Sequence, residues 1–530
     1  TALGHGTLQA SIASNNTAVG FCALRCNTTG TTNTGVGVSS LRANTTGGNN
    51  TAMGHHAMCK NTTGTSNVGI GRGALYANTT GANNVGLGVY AGTSNQTGAK
   101  NIAIGRDALL SNTVSDNTAV GFFSLRSNTT GARNSGLGSC ALRYNTTGVD
   151  NTSVGFRALR GNTEGRQNTA VGSYALDTNT TGTCNVALGW ASLLVNTTGG
   201  NNTALGTDAL RLNTASNNTA VGFCALRSNT TGTSNAALGR IALGSNTTGV
   251  NNTAVGDQSL GGNTIGVNNT SVGYKAMTSN TVGASNTGVG SCALALNSAG
   301  ANNTALGYHS LLSNTASNNT AVGFCALRSN TTGTLNTVLG GRAMLCNTTG
   351  YSNVAVGWNS LVANTTGIRN VAMGHGTLYS GTGGSCNVAI GDYAALAGGG
   401  AFNNIAIGRC ALRTNTANNN TAVGTFALRN NTTGIQNIAL GAFALSANTT
   451  GNQNVALGFQ SLLSNTTGAY NTAVGTFSLL YNTAGINNTS VGQGSLQNNT
   501  VGINNTAVGR GALCDNTASD NTALGNNTLR

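Results

Sequence analysis

The sequence predicts an all-β chain, a parallel β-solenoid (β-roll or β-helix) of about 31 coils with 17 residues each. Three observations predict it. A unit restarts about every 17 residues, the short fixed period of a repeat architecture, at Thr17, Thr34, Thr51, Val68, Val85 and onward to Thr522. Counting from these β-branched starts, position 3 is Val, Leu, Ile or Met and position 4 is Gly in every copy, as in Val221-Gly222, Leu306-Gly307 and Ile407-Gly408. Finally, 530 residues contain 79 Gly and no Pro, and Pro would remove a donor wherever strands pair on both sides. A unit this short and this rich in Gly, Asn and Thr cannot form the paired helices of helical repeats, whereas stacked coils about 4.8 Å apart pair every one with the next.

The typical unit Thr219–Asn235, TAVGFCALRSNTTGTSN, shows the elements in order. Positions 1 to 3 read as a short strand, with the β-branched and aliphatic residues at 1 and 3 expected on the core face. Gly at position 4 ends it, since a residue without Cβ can turn at positive φ. Small residues at position 7 and Leu or Met at position 8 predict a second short strand with one large inward side chain, and Asn-Thr-Thr-Gly at 11 to 14 supplies a corner. The Asn at position 17 (Asn202, Asn235, Asn336) is read as an amide ladder; with the glycines Gly222, Gly307 and Gly408 these are the candidate structural columns. For the Asn at position 11, as in Asn229 and Asn330, a ladder and local capping of its own bend both remain open.

A longer period overlies the first. Coils starting at Thr1, Ile102, Thr203, Thr304, Ile405 and Thr506 are one residue shorter than the rest, so six coils make a 101-residue super-repeat. Residues 1–530 are read as a single continuous solenoid with super-repeats 1–101, 102–202, 203–303, 304–404, 405–505 and a partial 506–530. The short corner is read as a deletion inherited with the block; a reset of twist or a lateral contact are the alternatives. Thirty-two starts predict a rod of roughly 150 Å. Thr1 enters in register and Arg530 stops at position 9, so the expectation is an uncapped fragment of a longer chain or filament.

The net charge is +14, from 24 basic and 10 acidic residues, and no apolar run is long enough for a membrane span. A nucleic-acid binder concentrates cations and stacking aromatics in one groove, whereas Arg here is spread along the coils. Arg at position 9 after each short coil (Arg25, Arg126, Arg227, Arg328, Arg429 and Arg530) forms a candidate contact stripe for cell-surface polysaccharide or an acidic neighbour, or simply keeps the chain soluble. Aromatics at positions 5 and 6, among them Phe122, Trp190, Phe223, Tyr274, Phe324 and Trp358, read as a ridge for lateral packing, with sugar stacking the alternative. Asn27, Asn44, Asn61 and Asn78 head Asn-Thr-Thr sequons and are possible glycosylation sites, unless laddering buries them. None of the twelve Cys stands above another in the adjacent coil, so free thiols are expected. Carboxylates are few and unpaired, the five His are mostly on distant coils, and no recurrent Asp marks a calcium roll. No enzyme, metal or cofactor is expected.

Asn101-Ile102-Ala103-Ile104-Gly105 and Asn404-Ile405-Ala406-Ile407-Gly408, with the consensus Asn-Thr-Ala-Val-Gly, resemble the head-type repeats of trimeric autotransporter adhesins and repeats of phage or viral tail and surface fibres. The resemblance spans essentially the whole chain. It implies a left-handed β-roll, usually trimeric, used for attachment; the adhesin coil is slightly shorter, and no coiled-coil stalk or membrane anchor stands in these residues. The expected function is an extracellular structural fibre, filament or rod-like spacer at a cell or virion surface. It would self-associate as a lateral bundle, a trimer or a head-to-tail filament. The alternative is an adhesive receptor-binding fibre of a virus or bacterium. An ice-binding solenoid ranks third, because the Thr sit in corners and at position 1, read as core-facing, and not as a paired array on a flat exposed strand.

Overall fold

The computed structural model describes residues 1–530, which group into two compact units, Thr1–Val267 and Asn268–Arg530. Each unit carries sixteen strands, from Ala2–Leu3 to Thr253–Val255 in the first and from Thr270–Val272 to Thr522–Leu524 in the second. There are no helices. The fold is a parallel β-solenoid of about 31 turns, each of about 17 residues. Within a unit each strand pairs in parallel with the strand one turn on, Thr17 against Thr34, and the offset falls by one at the short coils, Thr203 against Thr219.

Strands end after three residues because position 4 turns at a φ no other residue tolerates, +137° at Gly222. Its neighbours enforce the same choice: a Cβ on Gly222 would lie 2.5 Å from the Gly239 carbonyl oxygen of the following turn. Positions 5 to 10 form an extended turn, not the second strand expected from the pattern. Position 6 and the aliphatic position 8 adopt left-handed backbone, φ 55° at Cys224 and 50° at Leu226, which bends the chain at every second residue. Left-handed Leu costs roughly 1–2 kcal/mol against the extended form, and it persists because the surroundings over-determine it. Its amide still reaches the next turn, Leu41 N–H donating to the Ala57 oxygen at 3.0 Å, while Ser39 N–H donates backward to Phe21 at 2.8 Å.

The core lies on the opposite face from the expected one. Position 2 points inward, and positions 1 and 3 point out: Ala220, Ala225 and Leu226 are fully buried, whereas Leu238 and Leu339 at position 3 are 50% and 51% exposed. The physical reason is room. The side chain at position 8 reaches under position 2 of the following strand, so that a Cβ on Gly69 would meet Met58 Cγ at 2.8 Å and one on Gly86 would meet Leu75 Cγ at 2.9 Å. Only Ala, Gly, Ser and, once, Val338 stand at this position beneath the strand. A typical coil interior therefore holds one large aliphatic group, two small ones and two Asn, with Gly92 and Ala395 in place of the large group in two coils.

Candidate functional site

The repeat builds three hydrogen-bonded columns. At position 11 the Asn145 Nδ2 donates to Asn128 Oδ1 of the preceding turn at 2.7 Å and to Gly148 O of its own corner at 3.0 Å, while its Oδ1 accepts from Asn162 Nδ2 at 2.7 Å. One amide thus serves as ladder rung and local cap together. At position 17, the Asn235 backbone N–H donates to Asn218 Oδ1 at 3.0 Å and its Nδ2 reaches Gly249 O of the next corner at 2.8 Å. Asn202 and Asn336 make the same pair of contacts, to Asn185 and Ala215 and to Asn319 and Gly350. Thr at position 12 adds a hydroxyl column, Thr45 Oγ1 donating to Thr62 O at 3.1 Å. The glycines stack in a fourth column, with Gly307 and Gly408 each placing an added Cβ 2.6 Å from the carbonyl oxygen of Gly323 and Gly424.

Each short coil interrupts the position-11 ladder. The missing residue lies between positions 12 and 14, because Asn213 Nδ2 donates to Ala215 O two residues on, where a full coil uses the third. Asn213 then no longer reaches back, and the buried Asn196 Oδ1 has no partner. Asn95, Asn297 and Asn499 are orphaned at the same step of other blocks. The remaining block carries Gly398 at that place. Beyond the break the ladder resumes at Asn213, whose Oδ1 accepts from Asn229 Nδ2 at 2.6 Å and sideways from Asn218 Nδ2 at 3.2 Å.

Asn27, Asn44, Asn61 and Asn78 are fully buried, and the Nδ2 that would carry a glycan donates to the corner glycine carbonyl in each. The folded coil leaves those atoms no room for a sugar. Exposed sequon asparagines stand instead at position 16, as Asn15 and Asn49. The six position-9 arginines stand six coils apart and make separate local contacts. Arg126 and Arg429 stack over Phe123 and Phe426 at 5.1 and 5.0 Å, Arg25 Nε donates to Gln9 Oε1 at 3.2 Å, and Arg530 lies 4.0 Å from Asp515. Arg227 and Arg328 are exposed.

The surface displays two apolar features. The outer strand face carries the position-3 aliphatics, with Leu188, Leu238, Leu339 and Met373 each 39–51% exposed, beside Val186, Ala236, Thr337 and Val371 at position 1. The aromatic ridge is open too, Phe122, Trp190, Phe223, Tyr274, Phe324 and Trp358 being 44–52% exposed. Two grooves interrupt the ridge at Gly73 and Gly376, three super-repeats apart, each with a Tyr three positions on and another at the equivalent place one turn on. Sequence reading passed over them; Gly at position 6 was the available signal.

Ionic chemistry is sparse. Asp177 is buried between Arg157 and Arg160 at 2.9 and 3.0 Å, and hydrogen bonding to Arg133 holds the Asp150 carboxyl below its ordinary range. Burial pushes the thiols of Cys59, Cys224 and Cys514 up, which favours their protonated form. All twelve cysteines are free, and no three His, Cys, Asp or Glu side chains converge to hold a metal ion.

These features define a class: a parallel β-solenoid whose interior polar groups are spent on joining turn to turn. No protein-family model matches the chain, and no curated protein matches it.

Proposed function

We propose that this chain is a non-catalytic structural element of an extracellular fibre or spacer, at a cell or virion surface, that assembles with further copies of itself through the outer strand face. One observation carries the reading: large aliphatic side chains face water at the same place in turn after turn. If each coil leaves roughly 50 Å² of aliphatic surface there, sixteen coils offer on the order of 800 Å², the share of one partner in a standard protein interface and above the usual exposed patch. The spacing selects the partner. A flat row of side chains repeating at one strand separation is matched in register by another row of the same pitch, and a second copy has it. The columns inside each unit support the mechanical role, because stretching the stack breaks many short hydrogen bonds together.

The test is a triple variant, Leu188→Asp, Leu238→Asp and Leu339→Asp. These half-exposed sites leave folding intact, so circular dichroism stays unchanged while sedimentation and electron microscopy report loss of bundles or oligomers. A wild-type chain that stays monomeric at high concentration, or a variant that assembles equally, would overturn the proposal.

A second reading draws on the same face. One premise of the low rank of ice binding, Thr at position 1 pointing inward, is corrected: Thr152, Thr219 and Thr253 are exposed on the outer strand face, in a column that Val186 and Ala236 interrupt. Hydroxyl and methyl groups in such an array order water. Thermal hysteresis in the wild type that disappears in Thr219→Lys with Thr253→Lys favours this reading; its absence in the wild type dismisses it.

A further inference from the structure

The two grooves of the aromatic ridge share one construction. Gly73 turns at φ +67° and Gly376 at +61°, in place of the side chain that most coils carry at position 6. The tyrosine of the next turn lies over each glycine: an added Cβ would be 2.8 Å from Tyr90 Cδ1 in one and 2.9 Å from Tyr393 Cδ1 in the other. A second tyrosine, Tyr76 or Tyr379, flanks the opening from the glycine's own turn. The resulting volumes, about 670 and 470 Å³, fall in the range of small-ligand sites.

Their charge differs. Around Gly73 the rings are edged by cations: Lys60 Nζ lies 5.2 Å over Tyr76, and Arg72 stacks 5.0 Å over Tyr90 while donating one N–H to its hydroxyl oxygen. His55 and His56 line the same wall, their rings 4.1 Å apart. The first acidic residue of the chain is Asp107, one turn beyond Tyr90, where its carboxylate lies 3.8 Å from Arg106 Nε, so no Asp or Glu stands in the turns that carry His55, His56, Arg72 and Tyr90. The proton affinity of His56 is lowered by burial first and then by His55 and Arg42, in keeping with that field. Around Gly376, in contrast, Asp392 Oδ1 sits 3.2 Å from His375 Nδ1, and the buried Asn359 Oδ1 on the wall has no hydrogen-bond partner.

We propose that the groove over Gly73 binds an anionic saccharide unit. A sugar ring matches the lining in two ways. Its C–H face carries slight positive charge and packs on the negative face of a tyrosine, and its hydroxyl edge meets the phenol, imidazole and Thr93 groups at the rim. A carboxylate or sulfate on that ring meets Arg72, which uses one of its five donors on Tyr90, and Lys60. The groove over Gly376 has the same ring geometry with a carboxylate beside it and serves as an internal comparison. The inference goes beyond the structural role and does not depend on self-association.

The experiment titrates the full chain with α-1,4-linked digalacturonate by calorimetry, with maltose and benzoate as comparison probes, at about 20 mM and about 0.5 M salt. The expected result is one digalacturonate per chain at low salt, weakened by salt. Affinity falls roughly tenfold or more in both Arg72→Gln and Tyr76→Ala, and stays at the wild-type value in Tyr379→Ala. Maltose binds that site at least roughly tenfold more weakly. Gly73→Asn, which keeps a left-handed backbone accessible while filling the groove, abolishes binding, with circular dichroism reporting an intact fold. No binding by the wild type, equal binding by the Arg72 and Tyr76 variants, or benzoate binding as tightly as digalacturonate would overturn the proposal. Failure here leaves the assembly reading intact, because sedimentation tests that separately.

Discussion

Asn145→Ala tests whether the ladders hold the turns together. The side chain is fully buried and takes part in three hydrogen bonds: to Asn128 Oδ1 at 2.7 Å, to Gly148 O at 3.0 Å, and from Asn162 Nδ2 at 2.7 Å. Truncation leaves Gly148 O with Asn134 Nδ2 at 2.8 Å and Asn162 Nδ2 with Gly165 O at 3.0 Å. Asn128 Oδ1 is left with no partner in a dry interior. An orphaned buried acceptor costs about 1–3 kcal/mol and each of the two further lost bonds about 1 kcal/mol, so the substitution destabilises the coil by about 3–5 kcal/mol. Hydrogen exchange is the assay, because repeat stacks open locally and a single unfolding midpoint averages over many turns. Protection is expected to fall in the turns of Asn128 and Asn162 as well as in that of Asn145. A double-mutant cycle with Asn162→Ala is expected to show coupling of about 1 kcal/mol between residues one full turn apart in sequence. Additive effects, with lost protection confined to residues 145–148, would show that the Asn only caps its own bend and would refute the reasoning.

Four further outcomes follow from the same geometry. Gly222→Ala combines a forbidden φ with a Cβ 2.5 Å from the Gly239 oxygen, and is expected to cost about 3–5 kcal/mol, read as lost exchange protection on both sides of that turn. Ile241 is a β-branched residue at φ 58°, so Ile241→Asn is expected to stabilise its turn by about 1 kcal/mol in the same assay, and destabilisation would contradict the strain argument. Inserting Thr between Thr214 and Ala215 together with Ala215→Gly restores the corner of a full coil, gives Asn196 Oδ1 a donor, and is expected to raise local stability by about 1–2 kcal/mol, and no gain would contradict this account of the interrupted ladder. For His56, burial lowers the folded-state affinity for a proton below the ordinary value near pH 6.5, so its stabilising contribution is complete above that pH and is lost as pH falls toward the lower folded value; an NMR titration finds its midpoint in the folded chain below its own midpoint in denaturant, and His56→Gln flattens this part of the pH profile.

Much of the architecture could be read directly because the repeat states it thirty-two times. The strand at positions 1 to 3, the break at Gly in position 4, the inward Leu at position 8 and the shorter coil at every sixth turn all appear as columns in the alignment of the chain with itself. The face of the strand did not. Alternation separates positions 1 and 3 from position 2 but does not say which set is inside, and size suggested the larger residues. The answer depends on what stands opposite, namely the side chain of Leu75 or Met58 reaching beneath the next strand, and that contact spans a turn. The left-handed backbone at Cys224 and Leu226 was hidden for a related reason: neither residue type signals it, and packing imposes it.

The grooves show the same division. Gly73 and Tyr76 belong to one coil and Tyr90 to the next, and only the stacking of turns brings the last over the first. By itself, then, the sequence determined the period, the coil and the chemistry of each column, since those follow from composition at equivalent positions and from local backbone preference. The tertiary structure alone decided which side of the strand meets water, where the ladder is interrupted and which aromatic rings share a groove, because each of these is set by contact between turns and by the space left when one side chain has already filled the interior.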